Sequence, residues 1–207
     1  MRKLSNAQSD QFKVFVPTNT VQEDKKQRKG VVVFFTGLSG SGKTTLANKL
    51  VERWVARTGL YATKLDGDDA RRLLSSDLGF SKEHRNLNIQ RMGFVATEIA
   101  SHGGFCVISA IAPYNSSREE LILRVKLSGS VAVLVHVSTP LDICESRDHK
   151  ELYSKARRGE IKNFTGIDDP YEVPETCDLE LDMTEMGVEL ACEIIEEFCK
   201  SRLQSVL

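Results

Sequence analysis

Eight consecutive residues constrain this chain more than any other stretch: Gly37-Leu38-Ser39-Gly40-Ser41-Gly42-Lys43-Thr44 follows the spacing G-x-x-x-x-G-K-S/T at every position. The apolar run Val31-Val32-Val33-Phe34-Phe35 precedes it, and a helical period begins at Thr45, with Leu46, Leu50 and Trp54 four apart. A strand, a glycine-rich turn and a helix in that order make a phosphate cradle. Triphosphate oxygens must be met by several backbone N–H groups at once, so glycines have to bring the main chain close at the positive end of a helix dipole. Gly37, Ser39, Gly40, Ser41, Gly42 and Thr45 are the expected loop contacts to ATP or GTP. Lys43 supplies a point charge for the β and γ phosphates, and Thr44 a hydroxyl for Mg²⁺.

The rest of the pattern places this cradle in an α/β domain. Tyr61 to Leu65, Phe105 to Ala110 and Val131 to Val137 read as strands, and Leu179 to Leu181 as a last short one. Gly59 is placed to stop the first helix. Ser81 can cap a helix running to about Ser101 with Leu87, Phe94, Val95 and Ile99 inward, ended by Gly103-Gly104. Ser116 and Glu119 suggest a capping box for a helix carrying Leu121, Ile122 and Val125, and Thr139-Pro140 a cap with proline at the first helical position. Thr184 is expected to open a C-terminal helix burying Val188, Ala191, Ile195, Phe198 and Cys199. The predicted fold is a three-layer P-loop NTPase-type domain over 31–207, with a mostly parallel five-stranded sheet and helices on both faces. Residues 1–30 read as a polar arm in which Phe12, Val14 and Val16 alternate as a short strand would. Residues 147–176 are charged, weakly periodic and too long for an ordinary connection, as a mobile lid would be.

Composition limits the partners. With 28 basic and 29 acidic residues the net charge is −1, so no global field recruits nucleic acid or an anionic membrane, and anion binding must be local. The apolar runs are too short to span a bilayer. The five cysteines form no C-x-x-C pair and the four histidines no cluster, which favours a reducing, cytoplasmic setting without a zinc site, or a plastid in a plastid-bearing organism.

A phosphoryl-transfer enzyme also needs a carboxylate near the metal. The third strand runs through Val107-Ile108-Ser109-Ala110-Ile111 without one, whereas the second leads into Asp66-Gly67-Asp68-Asp69. Asp68 is the candidate for the metal and for the proton of an attacking hydroxyl, with helix capping and chemistry divided among the three aspartates.

Several segments, in order, are similar to the APS kinase family, whose members phosphorylate adenosine 5′-phosphosulfate (APS). They are Leu65-Asp66-Gly67-Asp68, Leu78-Gly79-Phe80-Ser81, Pro113-Tyr114, Cys144-Glu145-Ser146-Arg147-Asp148, Leu152-Tyr153 with Ala156-Arg157, and Gly159-Glu160-Ile161-Lys162-Asn163-Phe164-Thr165-Gly166-Ile167-Asp168. The resemblance covers about residues 30–180 and implies transfer from ATP to the 3′-hydroxyl of APS. It implies that Asp68 serves the metal and the acceptor hydroxyl, and that Lys43 and Asp68 are catalytic. Arg71, Arg85 and Asn88 are then the ligands of the phosphosulfate and ribose, and Phe80 and Phe164 clamp the acceptor adenine. Asp69, Ile111, Ala112, Lys150, Lys162 and Asn163 complete the APS site, the last two with Lys150 on the lid. Fork-shaped guanidinium donors suit a phosphosulfate, and flat rings suit a purine. Between Arg147 and Lys162, six basic side chains face Asp148, Glu151 and Glu160, a balance suited to a closing lid that screens phosphoryl charge. A homodimer, and fusion to or pairing with ATP sulfurylase in a bifunctional PAPS synthetase, are further implications.

The chain departs from the family pattern at five positions. Ala112 stands where the family usually has serine, so a phosphoenzyme at this position is chemically impossible and direct transfer is expected. His149 and Glu151 replace the proline and glycine flanking Lys150, Asp69 a frequent asparagine, and Asn163 a frequent glycine. A kinase for another small alcohol, or a regulatory domain without activity, are the rival readings. The intact Gly42-Lys43-Thr44 argues against the second.

Overall fold

The computed structural model describes residues 29–148 and 150–204; the expected strand at Phe12, Val14 and Val16, the remainder of the arm and His149 lie outside them. Five parallel strands, β1 (Val31–Thr36), β2 (Ala62–Asp66), β3 (Phe105–Ser109), β4 (Val131–Val137) and β5 (Leu179–Leu181), form one sheet in the order β2-β3-β1-β4-β5. Val31 is in register with Phe105 on one side and Val131 on the other, so the strand that feeds the cradle is central. Being buried on both faces, it can be uniformly apolar.

The alternation within β1 divides two cores. Val31, Val33 and Phe35 pack with α1 (Lys43–Thr58) and α7 (Val188–Gln204), while Val32 and Phe34 pack with α3 (Lys82–Ser101) and α4 (Asn115–Leu127). Burying each such phenylalanine contributes about 2–3 kcal/mol relative to exposure. Because every pairing is parallel, the strands' C-terminal ends, and the loops that follow, lie on the same edge of the sheet. Three short helices, α2 (Gly67–Leu73), α5 (Leu141–Ser146) and α6 (Leu152–Arg157), lie in those connections.

Strand expectations hold to within a residue, except that Tyr61 precedes β2 and is 96% exposed. Gly59 caps α1 in the left-handed conformation, and Ser81 caps α3 by accepting from the His84 amide. The inward face of α3 differs from expectation. Phe94 and Leu87 point outward, and Ile89, Met92, Ala96 and Ala100 point in. Small residues set the choice: a Cβ at Gly93 would come to 3.0 Å from Leu121, so only this face lets α4 approach.

Three caps are also not where local sequence puts them. Ser116 is an exposed residue inside α4, which has Tyr114 at its N-cap; the free amide of Asn115 donates instead to Glu172 Oε2 at 2.7 Å, a partner 57 residues away. Thr139 does not cap α5. Its hydroxyl donates to the Ser41 carbonyl and accepts from the Met183 amide, and Pro140 takes the cap position. Thr184 is held by the Asp182 carboxylate, and α7 begins only at Val188. In the first two cases a tertiary partner outcompetes the local one, and in the third the neighbouring Asp182 takes the threonine. Glu172→Ala is expected to lower unfolding stability by about 1 kcal/mol, the usual worth of an N-cap, and Ser116→Ala to leave it within about 0.3 kcal/mol. Urea unfolding midpoints check the pair.

Candidate active site

The turn from β1 into α1 brings bare main chain against its neighbours. A Cβ at Gly37 would lie 2.4 Å from the Val137 carbonyl oxygen, and one at Gly40 2.9 Å from that of Cys144. Gly42, left-handed at φ 106°, caps α1 without a side-chain bond, which leaves the first amides of the helix free for an anion. Lys43 is buried; its Nζ donates to the Leu38 carbonyl at 2.5 Å and to Ser41 Oγ at 3.3 Å. Burial lowers its pKa to about 8, although Cys144, Asp66 and Asp68 pull the other way.

The register Asp66↔Ser109 sets these two strand ends side by side, and Thr44 meets both. Its hydroxyl donates to Asp66 Oδ2 at 3.0 Å and lies 3.3 Å from Ser109 Oγ. Asp66 also caps α2 by accepting from the Asp68 amide at 3.0 Å. Asp68, one turn further out, is paired with Lys150 at 2.6 Å, which raises the lysine's pKa. The expected division among the aspartates is therefore present, but the carboxylate touching Thr44 is Asp66.

A cavity of about 690 Å³ runs from this cradle to a basic end. On the donor side Ser39, Gly40, Gly42, Lys43, Thr44 and Thr45 line it; Gly37 and Ser41 sit behind. Further along come Asp68, Arg71, Phe80, Arg85 and Asn88, with Ile111, Ala112 and Lys150 on the facing walls. Arg71 lies 4.4 Å over the Phe80 ring and Arg85 5.4 Å from the same ring. Burial, then the charge of Arg85, lowers the Arg71 pKa. Asn88 is buried at this end; its Nδ2 donates to Met92 Sδ at 3.7 Å, and its Oδ1, also buried, has no hydrogen-bond partner.

Asp69, Lys162, Asn163 and Phe164 do not line the cavity. Asp69 pairs with Arg72 on the surface. The Asn163 and Phe164 amides both donate to Asp168, at 2.8 and 2.6 Å, and Arg85 joins the two halves of the expected clamp by donating to the carbonyls of Phe80 and Asn163. The Phe164 ring meets Tyr153 edge-on at 5.0 Å, and the Tyr153 hydroxyl donates to the Ser39 carbonyl at 2.9 Å. Ser109 and Tyr153 escaped the sequence reading. A hydroxyl at the end of a strand carries no local signal, and Tyr153 is recognisable only through its packing.

A family model described as adenylylsulphate kinase matches residues 29–182. The chain belongs to the adenylylsulphate kinase family. An adenylyl-sulfate kinase of Halothermothrix orenii is 45% identical over 177 residues, covering 86% of this chain and 93% of its own. A sulfate adenylyltransferase of Aspergillus terreus is 46% identical over 160 residues, 77% of this chain but 28% of that longer protein. The structure of the Mycobacterium tuberculosis APS kinase in complex with AMPPNP and APS superposes with a TM-score of 0.79 at 40% identity, over 84% of this chain and 99% of that one. A Sinorhizobium meliloti gluconokinase, 16% identical with a TM-score of 0.55, shares the fold alone. As a family member the chain is an ATP-dependent adenylyl-sulfate kinase of sulfate assimilation.

ATP-using kinases of this kind work with a divalent metal, and the donor set fits one: the Thr44 and Ser109 hydroxyls and the Asp66 carboxylate are hard oxygen ligands. Among the described residues, no three His, Cys, Asp or Glu side chains gather into a metal site of their own, and no helix is long and apolar enough to cross a membrane.

The depressed pKa of Lys43 has a signed consequence. Free enzyme loses the proton near pH 8, whereas bound phosphates favour the charged form, so nucleotide binding takes up a proton above that pH and weakens as pH rises. Calorimetry of ADP binding in buffers of different ionisation enthalpy should show uptake growing from about 0.2 to about 0.9 proton between about pH 7.5 and about pH 9.

Proposed function

We propose that the chain transfers the γ-phosphoryl group of MgATP directly to the 3′-hydroxyl of APS, giving 3′-phosphoadenylyl sulfate and ADP. What carries the reading is one uninterrupted cavity: the phosphate cradle lies at one end, Arg71, Arg85 and Asn88 at the other, and Asp68 between them.

The loop amides from Ser39 to Thr45 and Lys43 bind the donor phosphates. On meeting them Lys43 exchanges the Leu38 carbonyl for phosphate oxygen. Thr44 and Asp66 would hold Mg²⁺, with Ser109 beside them and Asp68 near enough along the same cavity to serve it. When bound, the ion neutralises charge on the β and γ oxygens. The acceptor lies with its phosphosulfate between the Arg71 and Arg85 guanidiniums and its purine against Phe80, onto which closure of the lid would bring Phe164, and Asn88 lines the same end. Asp68, released by Lys150, takes the proton of the 3′-hydroxyl as it attacks in line; Lys150 then faces the transferring phosphoryl group. The contribution of the protein is positioning and electrostatics, which suits phosphoryl transfer. The side chain of Ala112 is a methyl group, so the phosphoryl group has no serine stop at this wall.

The proposed organisation is an arm at 1–30, a kinase domain at 31–207 and a lid at about 147–176. In this reading the lid's basic first part moves, while its return is tied down where the Glu172 amide donates to the Pro113 carbonyl. A homodimer is supported by the exposed apolar Leu74 and Phe94 beside Val95 in a surface groove. Pairing with ATP sulfurylase is supported by the longer Aspergillus relative, and a cytoplasmic setting by free thiols at all five cysteines.

Lys43→Ala is expected to lower kcat/KM by about 1,000-fold or more, in a coupled assay of ADP release. Acid quench during turnover with γ-labelled ATP should yield no phosphoserine; a labelled enzyme would refute direct transfer. Asp68→Asn should reduce kcat about 100-fold, and Asp66→Asn, which preserves the cap, should raise the Mg²⁺ concentration for half-maximal rate about tenfold.

A further inference from the structure

Arg118 on α4 leads the fully buried side chains of the described residues in size, at 1% exposed. A cation so placed is costly to bury, and burial lowers its pKa. Its Nη1 donates to the Ala112 carbonyl at 2.5 Å. Its Nη2 donates to the Glu172 carbonyl at 2.5 Å and to Asn115 Oδ1. All three are neutral oxygens, and Nε has no partner at all. A group chosen for stability would be apolar here, so the guanidinium is kept for what its fork connects.

It connects two walls. Ala112 is left-handed at φ 46°, a conformation that L residues hold only when their surroundings impose it, and its carbonyl is fixed by Arg118 and, at 3.3 Å, by the Thr36 hydroxyl. Ile111 and Ala112 form the cavity wall. Glu172 is the end of the lid's return leg, joined again to the same wall by its amide on Pro113 and its carboxylate on the Asn115 amide. Three residues upstream, Asp169 accepts from the Tyr114 hydroxyl at 2.9 Å and faces Arg85 at 3.8 Å. That leg follows directly on the turn carrying Asn163 and Phe164. We propose that Arg118 is a positioning residue for the acceptor nucleotide: it sets the Ile111–Ala112 wall and the root of the Phe164 turn as one unit, without touching either substrate. The inference rests on the acceptor placement proposed above.

Arg118→Lys keeps the charge and loses the fork. It should raise KM for APS about tenfold while KM for ATP and the affinity for ADP stay within about twofold. Asn115→Ala removes one acceptor from the same guanidinium on a half-buried position, and should raise KM for APS about threefold with the thermal midpoint unchanged. This variant decides the matter if the lysine variant does not fold. Phe164→Ala serves as the reference for the acceptor site. If it raises KM for APS while neither Arg118→Lys nor Asn115→Ala does, or if these two raise both KM values together, Arg118 is only structural and the inference falls. If Phe164→Ala also has no effect on APS, the acceptor placement fails and takes the inference with it.

Discussion

The site exists because the main chain from Gly37 to Gly42 passes the ends of β4 and α5 with no side chain between. Backbone carbonyls of Val137 and Cys144 stand where Cβ atoms at Gly37 and Gly40 would have to be. The cradle is therefore a consequence of strand order: β4 lies beside β1 in register Thr36↔His136, and the loop after β1 must fold over its neighbour's end before α1 can begin. Thr139 locks that arrangement by reaching the Ser41 carbonyl, and Tyr153 reaches Ser39 from the lid. A residue expected as a helix cap and a tyrosine of the lid are both supports of the phosphate loop.

Strain is gathered around the same cavity. The non-glycine residues with positive φ among those described are Ala112, Glu151 and Asn163, one on the cavity wall and two on the lid, each costing about 1 kcal/mol or more. Glu151 and Asn163 both hold a backbone shape that glycine would adopt without strain. Each is held by hydrogen bonds. Ala112 is fixed through its carbonyl, Asn163 through its amide on Asp168 and its carbonyl on Arg85, and Glu151 through its amide on the Asp148 carbonyl. The lid's shape thus comes from hydrogen bonds made elsewhere more than from local preference.

That explains what could and could not be read from the chain alone. Strands, the cradle and the order of helices follow from periodicity and glycine placement, which are local properties, and so were legible. The family motifs brought Arg71, Phe80, Arg85 and Asn88 to one cavity. Most wrong or missing readings share a cause: the deciding partner is distant in sequence, Thr184 and the neighbouring Asp182 being the exception. Glu172 displaces Ser116 as the cap of α4, Gly93 and Ala96 override Phe94 in choosing the face of α3, and Asp66 reaches Thr44 only because β2 and β3 end level with β1. Phe164, expected at the acceptor, is one ring removed from the cavity, against Tyr153.

The charge pattern has a physical logic that the net figure of −1 conceals. Lys43 rests on the Leu38 carbonyl, Lys150 on Asp68, Arg71 on the Gly79 carbonyl, and Arg85 on the carbonyls of Phe80 and Asn163. Every cation at the site is thus already desolvated or partnered before a nucleotide arrives. Binding two polyanions then exchanges one oxygen for another without stripping a fully hydrated ion, so less of the Coulomb gain is spent on desolvation.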